Sequence, residues 1–237
     1  MAAAAIPEIE VTDFVAGARA ARGLVVVIDV FRAFSVAAYA SAAGARQIIP
    51  VASIDDARAL KAQNPDALLI GERHARRLPG FDCGNSPTEL ERLDVRDRML
   101  IHTTHSGTQG LTNATGADEV ITGALVNAGA IVRYIQSKAP ARVTLVRMGH
   151  EARENCDEDD LCAELIVRRL RGEPDVTHIR ERLRQASSAV KFFDPACDWA
   201  PERDFELCTQ VDAFDFILRL EPDRPAPGLR SVPTRSS

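Results

Sequence analysis

Short aliphatic runs recur along this chain with helix-like stretches between them, and that alternation limits the possible folds more than any other feature. The runs are Leu24 to Ile28, Gln47 to Val51, Ala67 to Ile70, Arg98 to His102, Glu119 to Thr122 and Arg142 to Met148. They are rich in β-branched residues and lack polar alternation, as expected of strands covered on both faces. Between them, Ala33 to Ala43, the stretch opened by Ser53-Ile54-Asp55-Asp56, Asn127 to Lys138 and Glu158 to Arg171 carry helical patterning, with Ser53 as a candidate N-cap. Strand and helix in alternation predict an α/β fold with a mostly parallel sheet flanked by helices. In such sheets ligands gather at the carboxyl ends of the strands, so the residues just after each run are the first candidates for a site.

At 237 residues, the expected organisation is a single α/β domain, or two lobes of one, over residues 1–220. Residues 221–237 hold four prolines and read as a disordered tail. Residues 71–87, GERHARRLPGFDCGNSP, read as a long ordered loop, the kind that is usually functional in a compact domain. The net charge of −5 argues against a nucleic-acid partner. The N-terminus lacks the pattern of a secretory signal and no apolar run has the length of a membrane span, so a cytoplasmic protein is expected. Five cysteines without a CxxC pair fit free thiols.

Several strand-end residues could carry chemistry. Asp29 closes the first aliphatic run. It reads equally as a hard oxygen ligand for magnesium and as a helix cap or partner of Arg32. The Asp-Val-Phe-Arg that it opens lacks the second acid of a phosphoaspartate motif. Glu72 and Arg73 follow the Ala67–Ile70 run. Arg73 could grip a phosphate or sulfonate with two parallel hydrogen bonds, and Glu72 could act as a base or bind metal. Asp82, Asn85 and Ser86 have the composition of a turn. In IHTTHSGT, the residues Thr103, Thr104, Ser106, Gly107 and Thr108 offer hydroxyls and backbone N–H groups to an anion, or cap a helix. Glu158 and Asp159 lie in an acidic run, which is either a solvated helix start or part of a magnesium site.

In combination these segments are more specific. VVVIDVFRAFS, IIPVASIDDA, LLIGERHARRLPGFDCGNSP, IHTTHSGT and DEDDLCAEL, in that order, resemble the 2-phosphosulfolactate phosphatase family, as does the later DFELCTQVDAFDFIL. The resemblance runs from about Gly23 to Leu218. It implies magnesium-assisted hydrolysis of a small anionic phosphoester, with 3-sulfolactate as the family's product on the way to coenzyme M. On that reading Asp29, Glu158 and Asp159 hold the metal. Arg32, Arg73, Glu72 and Asp82 form the catalytic set, and Asn85, Ser86, Thr103, Thr104, Ser106, Gly107 and Thr108 bind substrate. The chain departs from the family pattern at Phe34, Ser106 and His150, and has His74-Ala75-Arg76 where glycines are common. Those departures also suit a non-catalytic protein that binds an anionic metabolite. A homo-oligomer is compatible with the sequence.

Overall fold

The computed structural model describes residues 6–221 and 226–234. Its ten strands are β1 (Glu8–Asp13), β2 (Leu24–Ile28), β3 (Gln47–Pro50), β4 (Leu68–Arg73), β5 (Arg76–Arg77), β6 (Met99–Thr103), β7 (Glu119–Gly123), β8 (Arg142–Arg147), β9 (Phe216–Glu221) and β10 (Gly228–Pro233). They form one sheet in the order β1-β8-β2-β7-β9-β10-β3-β6-β4-β5. Five of its nine neighbouring pairs are parallel, as the alternation of strand and helix predicts.

Strand β2 shows why its sequence carries no alternation. Leu24, Val26 and Ile28 enter one core, against α6 (Ala128–Lys138) and α7 (Asp157–Arg171). Val25 and Val27 enter a second core on the other face, against α1 (Phe14–Ala20), α2 (Ala33–Ala42) and α5 (Gly107–Asn113). All five are buried, and each such side chain stabilises the fold by about 1.5–3 kcal/mol relative to exposure. A smaller core lies between β3, β4, β6 and α3 (Ile54–Gln63). Ser53 caps α3, accepting the Asp56 N–H at 3.0 Å. No helix among the described residues is long and apolar enough to cross a membrane, and all five cysteines are free.

The sheet has two parallel halves, β1-β8-β2-β7 and β3-β6-β4, joined through the antiparallel pair β9-β10. Each junction is made by one residue pair, Ile121 with Arg219 and Leu229 with Ile48. The two halves therefore run in opposite senses along the sheet. Five strand-to-strand steps separate β2 from β6, and at about 20–25° each the twist accumulates to roughly 100–125°. Residues at the carboxyl ends of strands from both halves line a single cavity.

Two expectations are corrected. Residues 228–233 are an ordered strand rather than a disordered tail, because their backbone pairs along the whole length of β9 and Leu229 is buried. Glu221 ends β9, and the parts of that expectation at 222–225 and 235–237 lie outside the described residues. The 71–87 segment contains a hairpin, β4 to β5, turned by His74 and Ala75 at φ of 52° and 61°. It then runs into the short helix α4 (Pro87–Leu90).

Candidate active site

Four buried carboxylates from three parts of the chain wall the cavity: Asp29, Glu72, and Glu158 with Asp159. The chain delivers them in different ways. Asp29 follows β2, and its Oδ1 accepts the Ala33 N–H at 3.1 Å, so it starts α2 while facing the cavity. Gly107 lies against it. A Cβ there would stand 2.8 Å from Asp29 Oδ2 and 2.9 Å from the Ala33 Cβ, so only glycine allows this approach. Glu72 lies near the end of β4 and accepts the His105 N–H at 2.7 Å and the Ala75 N–H at 2.8 Å. Asp159, in the first turn of α7, accepts the Val30 N–H at 2.9 Å and the Gly149 N–H at 2.8 Å, tying the ends of β2 and β8 together. Glu158 accepts the Ser188 hydroxyl at 2.5 Å.

This crowding has an electrostatic consequence. Burial pushes the Asp29 carboxyl up to about 7, against the opposing Ala33 N–H, and Glu72 and Glu158 add to the rise. Asp159 is raised well above the usual carboxylate range, by burial first and then by Asp29 and Glu158. Two cationic side chains reach the wall, Lys191 and Arg32. Burial, then Arg32, lowers the Lys191 ammonium. The Arg32 charge is already answered: it is 2.6 Å from Asp204 and also donates to the carbonyls of Trp199 and Ala75 at 3.0 and 3.2 Å. Asp204, in α10 (Glu202–Cys208), further accepts the Ser86 hydroxyl and the Thr88 N–H, both at 2.9 Å. Of the two readings open for Asp29, the partnership with Arg32 is thus replaced by Asp204.

The cavity brings together Asp29, Arg32, Glu72, Asn85, Ser106, Glu158 and Asp159 from the expected set. Other members stand behind it or outside it. Arg73 lines a neighbouring depression, and its guanidinium donates to the carbonyls of Glu72 and Ala52 and to Thr103 Oγ1. Asp82 faces solvent away from the cavity and accepts the Leu69 N–H at 2.8 Å. Ser86 caps α4. Thr104 and Thr108 bond each other's backbone N–H at 3.0 and 3.1 Å, which fixes the turn that presents Ser106. Asn85 meets the buried His102 at 3.3 Å.

Several wall residues lie outside the expected site set: Phe31, Ala75, His105, Gly149, His150, Glu151, Cys156, Ser188 and Lys191. Phe31, His105 and Gly149 sit beside residues that the strand-end rule selects. After α8 (Ile179–Arg184), Ser188 and Lys191 belong to a short helical segment with no local motif, α9 (Val190–Phe193) and the turn before it.

Fold and site together define an α/β protein with a carboxylate-walled cavity at its strand carboxyl ends. Within that class the chain belongs to the 2-phosphosulpholactate phosphatase family, whose model matches residues 11–223. It is 40% identical over 215 residues to a probable 2-phosphosulfolactate phosphatase of Caldanaerobacter subterraneus, covering 83% of this chain and 87% of that protein. Proteins of the same name from Thermotoga petrophila and Bacillus subtilis are 34% and 32% identical, over 82% and 87% of this chain and 88% and 91% of theirs.

Proposed function

We propose that this chain is a magnesium-dependent phosphatase acting on a small acidic phosphoester, with 2-phosphosulfolactate as the first substrate to test and 3-sulfolactate as its product. The observation that carries this reading is the set of four buried carboxylates on one cavity wall, opposed by Lys191 and by an arginine already paired. So many buried acids without a matching cation are costly unless a cation joins them or they take up protons. All four offer hard oxygen donors, which suits magnesium, and the cavity of about 60 Å³ has room for an ion with some of its water. Asp29, Glu158 and Asp159 would hold it, and its chemistry there would be to neutralise charge on phosphoryl oxygens.

The chain's own groups supply the rest. Lys191 brings a positive charge to the substrate's anionic end. Ser106 and Asn85 offer a hydroxyl and an amide to its oxygens. Glu72, held by two backbone N–H groups, orients water for attack and accepts its proton. Arg32 acts as a positioning residue, since its hydrogen bonds link the 75 turn to α10 behind the wall. Arg73 and Asp82 shape β4 and its loop.

The test is phosphate release from 2-phosphosulfolactate, 2-phospholactate and phosphoglycolate, with magnesium and with EDTA. Turnover is expected only with magnesium, and Asp29→Asn should reduce it by on the order of a hundredfold or more. Equal turnover in EDTA would overturn the magnesium reading. Binding of these anions without turnover of any of them would overturn the phosphatase reading in favour of a binding protein.

A further inference from the structure

A second group of ligand atoms lies at the edge of the cavity, and its chemistry differs from that of the wall. His74, His105 and Glu151 place one nitrogen or oxygen each within 4.8 Å of one another. We propose that these three residues form a distinct binding site for a divalent transition ion of the zinc class. The proposal is independent of the phosphatase reading.

The spacing supports it. In a tetrahedral site with bonds near 2.0–2.2 Å, neighbouring ligand atoms stand about 3.3 Å apart. Here Glu151 Oε1 is 2.6 Å from His74 Nδ1 and 4.0 Å from His105 Nδ1. One distance must open and the other close, each by about 0.7 Å, to match that geometry. The His74 side chain is 74% exposed and free to make the adjustment. The two imidazole rings already stand edge to face, 5.2 Å between centroids.

The donor set points the same way. Two imidazoles and one carboxylate suit zinc and its neighbours, whereas magnesium prefers oxygen alone. The buried cavity acids and this trio would therefore sort the two metals by donor type. His105 adds a further observation: its Nδ1 is buried and has no hydrogen-bond partner. A buried nitrogen of that kind loses its hydration without return, and coordination would satisfy it.

The three residues come from three chain segments. His74 turns the β4–β5 hairpin, His105 follows β6, and Glu151 lies in the turn after β8. His105 and Glu151 line both the acidic cavity and the depression beside it. The His105 N–H also donates to Glu72, which ties this trio to the carboxylates of the cavity. Bound metal would pin the three segments across the cavity mouth and leave a coordination position for water or an anionic oxygen.

The test is calorimetric titration of EDTA-treated, dialysed protein with zinc chloride in excess magnesium chloride. One equivalent should bind, and cobalt in its place should give the visible absorption of a tetrahedral ion. His74→Ala, His105→Ala and Glu151→Gln should each weaken binding by about a hundredfold. His178→Ala, at an exposed position before α8 that lines neither the cavity nor the depression beside it, should leave it unchanged. An unchanged circular dichroism spectrum and Tm in His74→Ala would show that the variant is folded, so that its loss of zinc counts for the proposal. Absence of stoichiometric zinc binding, unchanged affinity in all three variants, or loss of zinc in Asp29→Asn with retention in His74→Ala would each overturn the proposal.

Discussion

Arg32 carries a positive charge with only 2% of its side chain exposed, and Asp204 answers it from 172 residues away. Removing one member of such a pair strands the other charge in a dry environment. Asp204→Ala should therefore lower the unfolding free energy by about 3–5 kcal/mol in urea titration. Replacing both members with apolar residues should recover much of that loss. His102 gives a different signature. Burial depresses its imidazole to about 4 from 6.5. Between those values the unfolded chain binds a proton that the folded chain refuses, so stability rises with pH there and falls as pH drops from about 6.5 to 4. The full span corresponds to about 3 kcal/mol. His102→Gln should lose this part of the slope in denaturation at pH 7 and pH 4.5. Asp29 and Glu72 were legible in the sequence because each sits where a strand runs out. The strand-end rule says where a side chain stands but not whom it meets. It therefore also selected Arg73, whose guanidinium is spent on Thr103 and two carbonyls, and it had no means of finding Asp204 or Lys191.

Helix α7 shows how an element resolves what composition leaves open. Its first turn reads Asp157-Glu158-Asp159-Asp160, and four consecutive acids carry no helical period. The fold divides them: Glu158 and Asp159 are buried on the cavity side, while Asp157 is exposed and Asp160 pairs with Arg147 at 2.9 Å. One turn thus holds both a solvent-facing acid and two that face the cavity. Helix α5 depends on its glycines for close packing. A Cβ at Gly110 would come within 2.5 Å of Met148 Sδ and Val27 Cγ1. Gly110→Ala should destabilise the protein, measured as a lower Tm, although alanine is the better helix former by about 1 kcal/mol. Gly107→Ala should act on activity instead, lowering kcat by displacing Asp29. Strands β2, β3, β4, β6, β7 and β8 were readable from their aliphatic runs. Strand β1 was not, because it is a sheet edge whose residues are mostly exposed or half-buried and include two glutamates. Strand β10 was hidden by its prolines, which end the strand or precede it and do not interrupt its pairing. Leu229→Ala, at the junction with β3, should cost about 2–4 kcal/mol in chemical denaturation.

At the scale of the whole molecule, a net charge of −5 is combined with a cavity walled by acids, while the proposed substrate is itself an anion. Like charges repel, so the anion should bind poorly to metal-free protein. In thermal unfolding, 2-phospholactate should raise Tm only when magnesium is present, and magnesium alone should raise it by mass action where sodium at equal ionic strength does not. The fold class was legible because alternating strand and helix is a property of the entire sequence. The reversal of sense between the two halves of the sheet was not, since nothing local in β9 or β10 announces which strands they will join.

The pairing of Leu229 with Ile48 spans 181 positions (229 − 48) and closes one half of the sheet onto the other. On a ribosome adding about 5–20 residues per second, Ile48 waits on the order of ten seconds or more for that partner to be made. Once β6 has been made, at Thr103, the β3-β6-β4 half would keep β3 as a bare edge, and from Asp159 onward all four buried carboxylates of the cavity are made before that edge is covered. A chaperone that shields strand edges should therefore hold the nascent chain longest at this stage, and the completed cavity would come into being only when β10 docks.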